Sequence, residues 1–228
     1  MRVPRFVAAV VFAFSLIVAS GVATSPAQAD GYSISRGPNT SKKVILTFDD
    51  CPKSLSSFKK TVKAFSDMGV RVALFPTGNC ITAGRFDAKY ARKMGHYVFN
   101  HSISHPDLRT LSYAGVKKEL GKPGVVTTYG RPPYGAYNAT TKKAYAAVGM
   151  KIWTWTVDTN DWRGKSSSQL VSYVVNNARK GDTVLMHMKW NGFNKSTVKK
   201  IKSGLKKKGI ALCKNTGKVS AKPSKVKC

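Results

Sequence analysis

The sequence predicts an α/β fold built on parallel strands, either a barrel or a wound sheet. Short apolar runs alternate with segments of helical periodicity along the chain. The runs are continuously apolar, which is typical of strands that crossover helices cover on both faces. About seven such β/α units fit into one domain, and the chain shows no internal repeat.

Residues 43–48 form the first apolar run and predict a strand. In residues 55–68 the apolar side chains then recur at the spacing of one helix face, which predicts a helix. Similar apolar runs predict the later strands over residues 70–75, 96–99, 125–129, 152–157, 183–188 and 210–213. Helical spacing predicts the later helices over residues 86–94, 114–120, 140–148, 170–178 and 198–205. We therefore expect a single domain and no second one.

Residues 1–29 have the pattern of a secretory signal peptide. Arg2 and Arg5 precede an uncharged apolar run over residues 6–22, and small residues at 27 and 29 mark a cleavage site. An uncleaved membrane anchor is the alternative, although the apolar run is marginal for a span of about 20 residues. We expect a secreted or cell-wall-associated protein with no membrane span after cleavage.

The two segments that flank the domain are predicted to be solvated. Residues 30–41 are polar and contain Gly, Ser and Pro, which predicts a flexible lead-in. Residues 195–228 carry 12 Lys and no acid, so that a basic helix is followed by a Lys-rich tail over residues 214–228. Neither segment has the composition of a separate domain.

The chain is strongly basic and poor in carboxylates. It has 39 Lys and Arg against 10 Asp and Glu, a formal net charge of +29 at pH 7. Removal of Arg2 and Arg5 with the signal peptide would leave +27. Such a charge predicts an anionic neighbour. Because export separates the protein from genomic DNA, we expect an anionic cell envelope as the partner and no specific nucleic acid. We also expect the protein to be a monomer.

Four cysteines, Cys51, Cys80, Cys213 and Cys228, would follow the protein into an oxidising compartment. An even number of cysteines there predicts disulfides, and four allow three connectivities. We favour Cys51–Cys80 and Cys213–Cys228, because each pair would follow or close a predicted strand. A zinc–thiolate site is the alternative, but the chain has no CxxC pair.

Polar residues with catalytic potential stand where the predicted strands end, the edge at which functional groups of a parallel α/β fold meet. Asp49 and Asp50 end the first strand, and His101 and His105 follow the third. Taken singly, the aspartates could be helix caps and the histidines a surface pair. Together, Asp50 and the two histidines offer three ligands and an open position, as in a catalytic zinc site.

The remaining groups suit hydrolysis of an acyl group by metal-bound water. Asp49 could accept a proton from the water, and His187 could donate one to the leaving group. Asp161 could orient His187 and raise its pKa, while Arg131 could keep Asp49 ionised. Trp162 could pocket a small acyl group. The structural alternatives are a buried core histidine, a simple ion pair and a core tryptophan.

Five motifs follow one another along the chain: Thr47-Phe48-Asp49-Asp50, His101-Ser102-x-x-His105, Arg131-Pro132-Pro133-Tyr134-Gly135, Asp158-x-x-Asp161-Trp162 and Leu185-x-His187. They occur in the order found in the polysaccharide deacetylases, and over residues 42–213 the chain resembles this NodB-like family of carbohydrate esterases (family 4). The resemblance implies a single-domain, distorted (β/α)7 barrel that removes acetyl groups from a glycan with one divalent metal ion, zinc or a similar ion.

The resemblance also implies a role for each matched residue. It makes Asp49 the general base and His187 the general acid. The implied metal ligands are Asp50, His101 and His105. The implied supporting residues are Arg131 at the base, Tyr134 with its backbone N–H at the oxyanion, Asp161 behind the acid, and Trp162 and Leu185 at the acetyl group. Cys51 departs from the family, which commonly has Gly there, so a Cys51–Cys80 disulfide would staple the loop beside the site.

Three functions follow as hypotheses. The first is a secreted N-deacetylase of glycans that contain N-acetylglucosamine, such as chitin oligomers or peptidoglycan. The second is an O-acetyl esterase on acetylxylan that uses the same mechanism. The third is a non-catalytic, cationic wall-binding protein on a deacetylase fold. All predicted ligands and proton-transfer groups are present, which favours an enzyme.

Overall fold

The computed structural model describes residue 1 and residues 32–228. Apart from residue 1, the predicted signal peptide over residues 1–29 lies outside the described residues. Within the described part of the chain, no helix has both the length and the apolar character needed to cross a membrane.

In residues 32–228, seven parallel strands follow one another around a barrel, which confirms the predicted α/β class. They are β1 (Ile45–Asp50), β2 (Val72–Pro76), β3 (Tyr97–Val98), β4 (Tyr129–Gly130), β5 (Lys151–Ile152), β6 (Val157–Asp158) and β7 (Thr183–His187). Five strands pair in the order β3-β2-β1-β7-β6, and β4 pairs with β5. A parallel bridge between Asn100 and Gly130 joins the two sheets. The barrel is therefore interrupted only between β5 and β6 in the described chain.

The six predicted helices are present, with ends shifted by at most three residues, and one short helix, α2, is additional. The helices are α1 (Leu55–Asp67), α2 (Gly78–Thr82), α3 (Ala88–Lys93), α4 (Tyr113–Glu119), α5 (Ala139–Ala147), α6 (Ser167–Asn177) and α7 (Lys195–Lys207). Each begins after a Ser, Thr, Asp or Asn whose side chain accepts a hydrogen bond from a backbone N–H of the first turn. The apolar face of α1, with Phe58, Val62 and Phe65, packs into the main core.

The strand predicted over residues 152–157 is in fact two strands, β5 and β6. Trp153 still donates its N–H to the Gly130 carbonyl of β4, at 2.8 Å. The next residue, Thr154, donates its N–H instead to Ile34, also at 2.8 Å. The chain thus leaves one sheet before it joins the other, because Ile34 and its neighbours in the lead-in lie between the two sheets.

The lead-in, predicted as flexible, is packed where the structure describes it. Gly37 has φ +60°, and a Cβ there would come within 2.2 Å of the Trp153 ring. Only glycine therefore permits this contact. The Arg36 carbonyl accepts a hydrogen bond from the Thr183 hydroxyl at 3.0 Å. Residues 32–37 fill the gap that the interrupted barrel would otherwise leave open.

The carboxyl-terminal segment also differs from its prediction. Residues 210–213 form only a bridge between Val44 and Leu212 rather than a strand. The tail that follows is not free in solvent, since Val226 is buried beneath the barrel with Ile45 and Tyr97. This packing removes apolar surface from water at the amino ends of the strands. Both favoured disulfides, Cys51–Cys80 and Cys213–Cys228, are present, and the described chain has no free cysteine.

Candidate active site

The predicted site residues meet at the carboxyl ends of the strands, as the parallel topology requires. Asp49 of β1 and His187 of β7 are register partners on neighbouring strands, and Asp158 of β6 pairs with Leu185 of β7. They open onto a cavity of about 430 Å³. Its lining comprises Asp49, Asp50, His101, His105, Tyr134, Trp155, Asp158, Trp162, Leu185 and His187.

Asp50, His101 and His105 form one cluster of possible metal ligands. Asp50 Oδ1 lies 3.5 Å from Nε2 of His101 and 3.5 Å from Nε2 of His105. One ligand atom from each residue lies within 4.8 Å of the other two. Two ligands of a tetrahedral zinc ion, each about 2 Å from it, are about 3.3 Å apart. The His₂Asp set therefore fits a divalent ion of this kind and leaves a coordination position free.

Hydrogen bonds fix the ring of His101 in the ligating orientation. Its Nδ1 lies 2.8 Å from the Arg131 carbonyl, which can only accept, so Nδ1 carries a proton and Nε2 is the ring nitrogen turned toward Asp50. Burial opposes ionisation of Asp50, but the three nearby histidines hold its pKa at about 2. The pKa of His105 is lowered by burial and by His101, which favours the neutral imidazole that binds metals.

Glu119, the only glutamate in the chain, holds the loop between the two histidines. Its Oε2 accepts hydrogen bonds from the backbone N–H groups of Ile103 at 2.9 Å and Ser104 at 2.8 Å. Its Oε1 accepts from the Ser104 hydroxyl at 2.9 Å. No sequence motif indicated a role for Glu119. Its position at the end of α4, which folds back on this loop, becomes evident only in three dimensions.

Asp49 is buried and paired with a buried arginine. Nη1 of Arg131 lies 2.7 Å from Asp49 Oδ1 and also donates to the Thr47 hydroxyl at 2.9 Å. The rest of the guanidinium donates to the carbonyls of Trp153 at 3.1 Å and Thr154 at 2.7 Å. These bonds fix the guanidinium, and with it the carboxylate, in one orientation. Asp49 Oδ2 is left 3.7 Å from Nε2 of His101.

His187 stands on the neighbouring strand with Asp161 behind it. Asp161 is fully buried, and its Oδ1 accepts a hydrogen bond from His187 Nδ1 at 2.6 Å. Its Oδ2 accepts from the His187 backbone N–H at 2.8 Å. Burial lowers the pKa of His187, but the bond to Asp161 and the carboxylates of Asp49 and Asp50 outweigh it and raise the pKa to about 9. The imidazolium form therefore predominates at neutral pH.

Apolar and aromatic side chains form the remaining walls. Leu185 is buried, whereas Trp162 and Tyr134 are 48% and 68% exposed. The Tyr134 ring stands edge-on to His105, with centroids 4.8 Å apart. Trp155 also lines the cavity, although no sequence motif pointed to it. Period-two spacing puts Trp153 and Trp155 on the same face of an extended segment, so the sequence pattern carried no signal that Trp153 is buried while Trp155 lines the cavity.

The chain matches the family model of the polysaccharide deacetylases over residues 36–153. A bifunctional xylanase/xylan deacetylase from Cellvibrio japonicus is 30% identical over 199 residues, covering 82% of this chain and 30% of that protein. A peptidoglycan-N-acetylglucosamine deacetylase from Listeria monocytogenes is 32% identical over 156 residues, covering 65% of this chain and 33% of that protein. The chain thus spans about a third of the length of these two curated relatives.

The solved structure of a family 4 carbohydrate esterase from Streptomyces lividans, in complex with acetate, has the same fold. It superimposes with a TM-score of 0.63 at 27% identity and covers 80% of this chain and 98% of that chain. The fold, the ordered motifs and the match over residues 36–153 lead to one conclusion. The chain belongs to the polysaccharide deacetylase family.

Proposed function

We propose that the protein is a secreted, metal-dependent deacetylase of N-acetylglucosamine-containing glycans, such as chitin oligomers or peptidoglycan. One observation carries the proposal. Asp49, which is buried, and His187, whose imidazole is paired with Asp161, stand on adjacent strands at one cavity that also contains the His₂Asp cluster. A base, an acid and a metal cluster at one cavity are the groups that amide hydrolysis needs.

We assign Asp50, His101 and His105 as ligands of one divalent ion, for which zinc suits the nitrogen and oxygen donors. Such an ion, when bound, polarises a carbonyl and lowers the pKa of water.

The protein's own groups then perform the proton transfers. Asp49, oriented by Arg131, accepts a proton from the attacking water, and His187 donates one to the departing amine. Asp161 keeps His187 oriented and protonated. We assign the backbone N–H of Tyr134 to the carbonyl oxygen as negative charge develops on it. Trp162 and Leu185 would form the apolar wall against the acetyl methyl group, which completes the predicted set.

The proposal is tested by acetate release from chitooligosaccharide, peptidoglycan and acetylxylan, measured side by side with added zinc. We expect release to stop with a chelator and return with zinc. We expect Asp49→Asn and His187→Ala each to lower kcat by about 10²–10⁴-fold, the usual contribution of a positioned acid or base. Undiminished turnover by metal-stripped Asp49→Asn protein would refute the proposal.

A second candidate is O-deacetylation of acetylxylan, because a relative similar over most of this chain is named a xylan deacetylase. An alkoxide is a better leaving group than the amide anion that would depart without protonation, so ester cleavage needs less help from an acid. His187→Ala should therefore reduce amide cleavage more than ester cleavage. If the unaltered enzyme releases acetate fastest from acetylxylan, O-deacetylation replaces N-deacetylation as the proposed function.

We further propose that the protein acts outside the cell, as a monomer, against an anionic envelope. The support for an anionic envelope as the partner is the net charge of +29 in a chain with 10 acidic residues. The relatives named peptidoglycan deacetylases act on an extracellular polymer, which agrees with this location. A neutral glycan gains nothing from this charge, so we assign it to retention rather than to recognition of the sugar. We propose no specific nucleic acid partner.

A further inference from the structure

A second, strongly basic cavity lies at the end of the barrel opposite the active site. Its volume is about 520 Å³, and we call it the basal cavity. Arg71 immediately precedes β2, whose last residue, Pro76, is the register partner of Asp50. At about 3.3 Å per residue, some five residues of extended chain separate the two ends by roughly 17 Å. The basal cavity is therefore independent of the metal cluster.

Arg71 is a buried cation in the wall of this cavity. It is only 2% exposed, and its guanidinium donates to the carbonyls of Gly95 at 2.7 Å, Lys227 at 2.9 Å and Gly217 at 2.6 Å. A fourth bond, of 3.4 Å, goes to the Tyr97 hydroxyl. All four acceptors are uncharged. No Asp or Glu of the described chain pairs with Arg71, so its positive charge is solvated by dipoles but not neutralised.

Four lysines of the carboxyl-terminal segment extend this charge around the cavity. Lys218, Lys222, Lys225 and Lys227 all line it, and each is exposed. None forms an ion pair with an Asp or Glu in the described part of the chain. The lining contains no acidic residue at all. Five cations therefore surround one concave surface, and no acidic side chain of its lining offsets their mutual repulsion.

The backbone that carries these lysines is fixed. The Cys213–Cys228 disulfide closes the segment, and Val226 is buried beneath the barrel. The Tyr129 hydroxyl donates to the Ser224 carbonyl at 2.7 Å, and the Thr128 hydroxyl donates to the Pro223 carbonyl at 2.6 Å. The cavity is a built feature of the fold rather than the random course of a basic tail.

We propose that the basal cavity binds the phosphate groups of an anionic polymer of the polyol phosphate type. Guanidinium and ammonium donors are the groups that bind phosphate in proteins. A cavity of about 520 Å³ has room for more than one phosphate of a chain. Single-stranded nucleic acid is disfavoured, because it needs exposed aromatic rings for its bases, and the one aromatic residue in the lining, Tyr97, is buried.

This inference deepens the envelope retention proposed above but requires no part of the deacetylase mechanism. Because the two cavities lie at opposite ends of the barrel, a protein held by its base would still present the catalytic end to a glycan. The charge of the protein then has a definite location, instead of acting as a diffuse surface property.

The test compares two variants of equal net charge. In the first, Lys218, Lys222, Lys225 and Lys227 become Gln; in the second, Lys195, Lys199, Lys200 and Lys207 on α7 become Gln. Both sets are exposed. Lys227 contacts Arg71 and Tyr97 only through its backbone, so Gln preserves those bonds. A version with Arg at the four basal positions restores the charge and serves as a rescue.

The measurement is calorimetric binding of synthetic poly(glycerol phosphate), poly-glutamate and a single-stranded oligonucleotide at low and moderate salt. We expect the basal Gln variant to lose at least about tenfold in affinity for poly(glycerol phosphate), with a shallower salt dependence, while the α7 variant changes less than about twofold. The Arg version should recover the affinity. Equal losses in the two Gln variants, or tighter binding of either other polymer, would overturn the proposal.

Acetate release from a soluble oligomer is measured on the same samples. We expect it to be unchanged in both Gln variants, because neither set touches the active-site cavity. Loss of phosphate binding with intact turnover therefore reports on the basal cavity alone. An inactive wild-type protein would count against the proposed function and leave the binding result to stand by itself.

Discussion

Five residues other than glycine have a positive φ in the described chain, and all five belong to the candidate active site or stand beside it. They are Asp50, Ser102, His105, Tyr134 and Asn160. Such conformations cost about 1–3 kcal/mol each and persist only where the surrounding structure enforces them. The sequence indicated which side chains would converge at the strand ends. Glycine, the strongest signal for a left-handed turn, stands at none of the five positions, although Asp50, His105 and Asn160 belong to the residue types enriched in that conformation.

The pair formed by Asp161 and His187 gives a pH prediction. Asp161 raises the pKa of His187, and a general acid works only while it is protonated. Asp161→Asn should therefore lower that pKa and move the alkaline limb of the kcat profile to lower pH. Asp158→Asn is the matched control, since Asp158 lines the same cavity but bonds to the Asn160 N–H instead. Equal shifts in both variants would contradict the assigned role.

Glu119 should determine how tightly the site holds a metal ion. Glu119→Gln replaces one acceptor oxygen with an NH₂ group, so that the loop over Ile103 and Ser104 loses part of its support. We expect zinc affinity to fall by about 10–100-fold, as for other residues that orient ligands indirectly. The measurement is competition with a chromophoric chelator.

The control for Glu119 is Asp182→Asn. Asp182 accepts the Arg179 N–H at 2.6 Å and precedes β7 at the other end of the barrel. It should cost stability without changing zinc affinity. Unaltered zinc affinity in Glu119→Gln would show that the histidine loop needs no such support.

At the scale of elements, the spacing of apolar residues in helices and the apolar runs of strands predicted most of the order of helices and strands. Both patterns depend only on residues that are close in sequence. The exception is the segment over residues 152–157, where an apolar run suggested a single strand. Its division into β5 and β6 depends on a hydrogen bond from Thr154 to Ile34, about 120 positions away in the chain. No local sequence pattern predicts such a contact. For the same reason, composition alone predicted a flexible lead-in.

The two disulfides join different elements and should have different effects. Cys51 follows Asp50 directly, and Cys80 lies in α2. Replacing this pair with Ala should cost about 3–4 kcal/mol of unfolding free energy and also weaken zinc binding. Replacing Cys213 and Cys228 should cost about 3 kcal/mol and leave zinc binding intact. Chemical denaturation and zinc titration provide the two readouts, and unchanged zinc affinity in the first variant would argue against a stapled site.

For the whole molecule, His96 couples stability to pH. The ring is fully buried and lies immediately before β3; its Nε2 donates to the Val62 carbonyl at 2.8 Å, and its Nδ1 accepts the Val72 N–H at 3.3 Å. Burial, aided by the nearby Arg71, lowers its pKa from 6.5 to about 4. The native state therefore requires the neutral ring, which joins α1, β2 and β3.

The pH effect of His96 follows from its two pKa values. Its contribution is complete above the unfolded value near 6.5 and is lost as the pH falls toward 4. Between about pH 7 and about pH 4.5 the wild type should lose about 2–2.5 kcal/mol more than His96→Gln, which cannot titrate. Denaturation at these two pH values gives the difference. Parallel losses in the two proteins would assign the acid sensitivity to other groups.

The placement of the tryptophans allows binding in the active-site cavity to be followed by intrinsic fluorescence. Of the four in the chain, Trp155 and Trp162 line that cavity, while Trp153 is fully buried below it. When a sugar ring displaces water from around an indole, the fluorescence of the indole moves to shorter wavelength. A glycan that covers the half-exposed Trp162 should therefore shift the emission of the unlabelled protein to the blue, and Trp162→Phe should abolish most of that shift. Substrate binding can thus be followed in an enzyme stopped by Asp49→Asn, separately from acetate release.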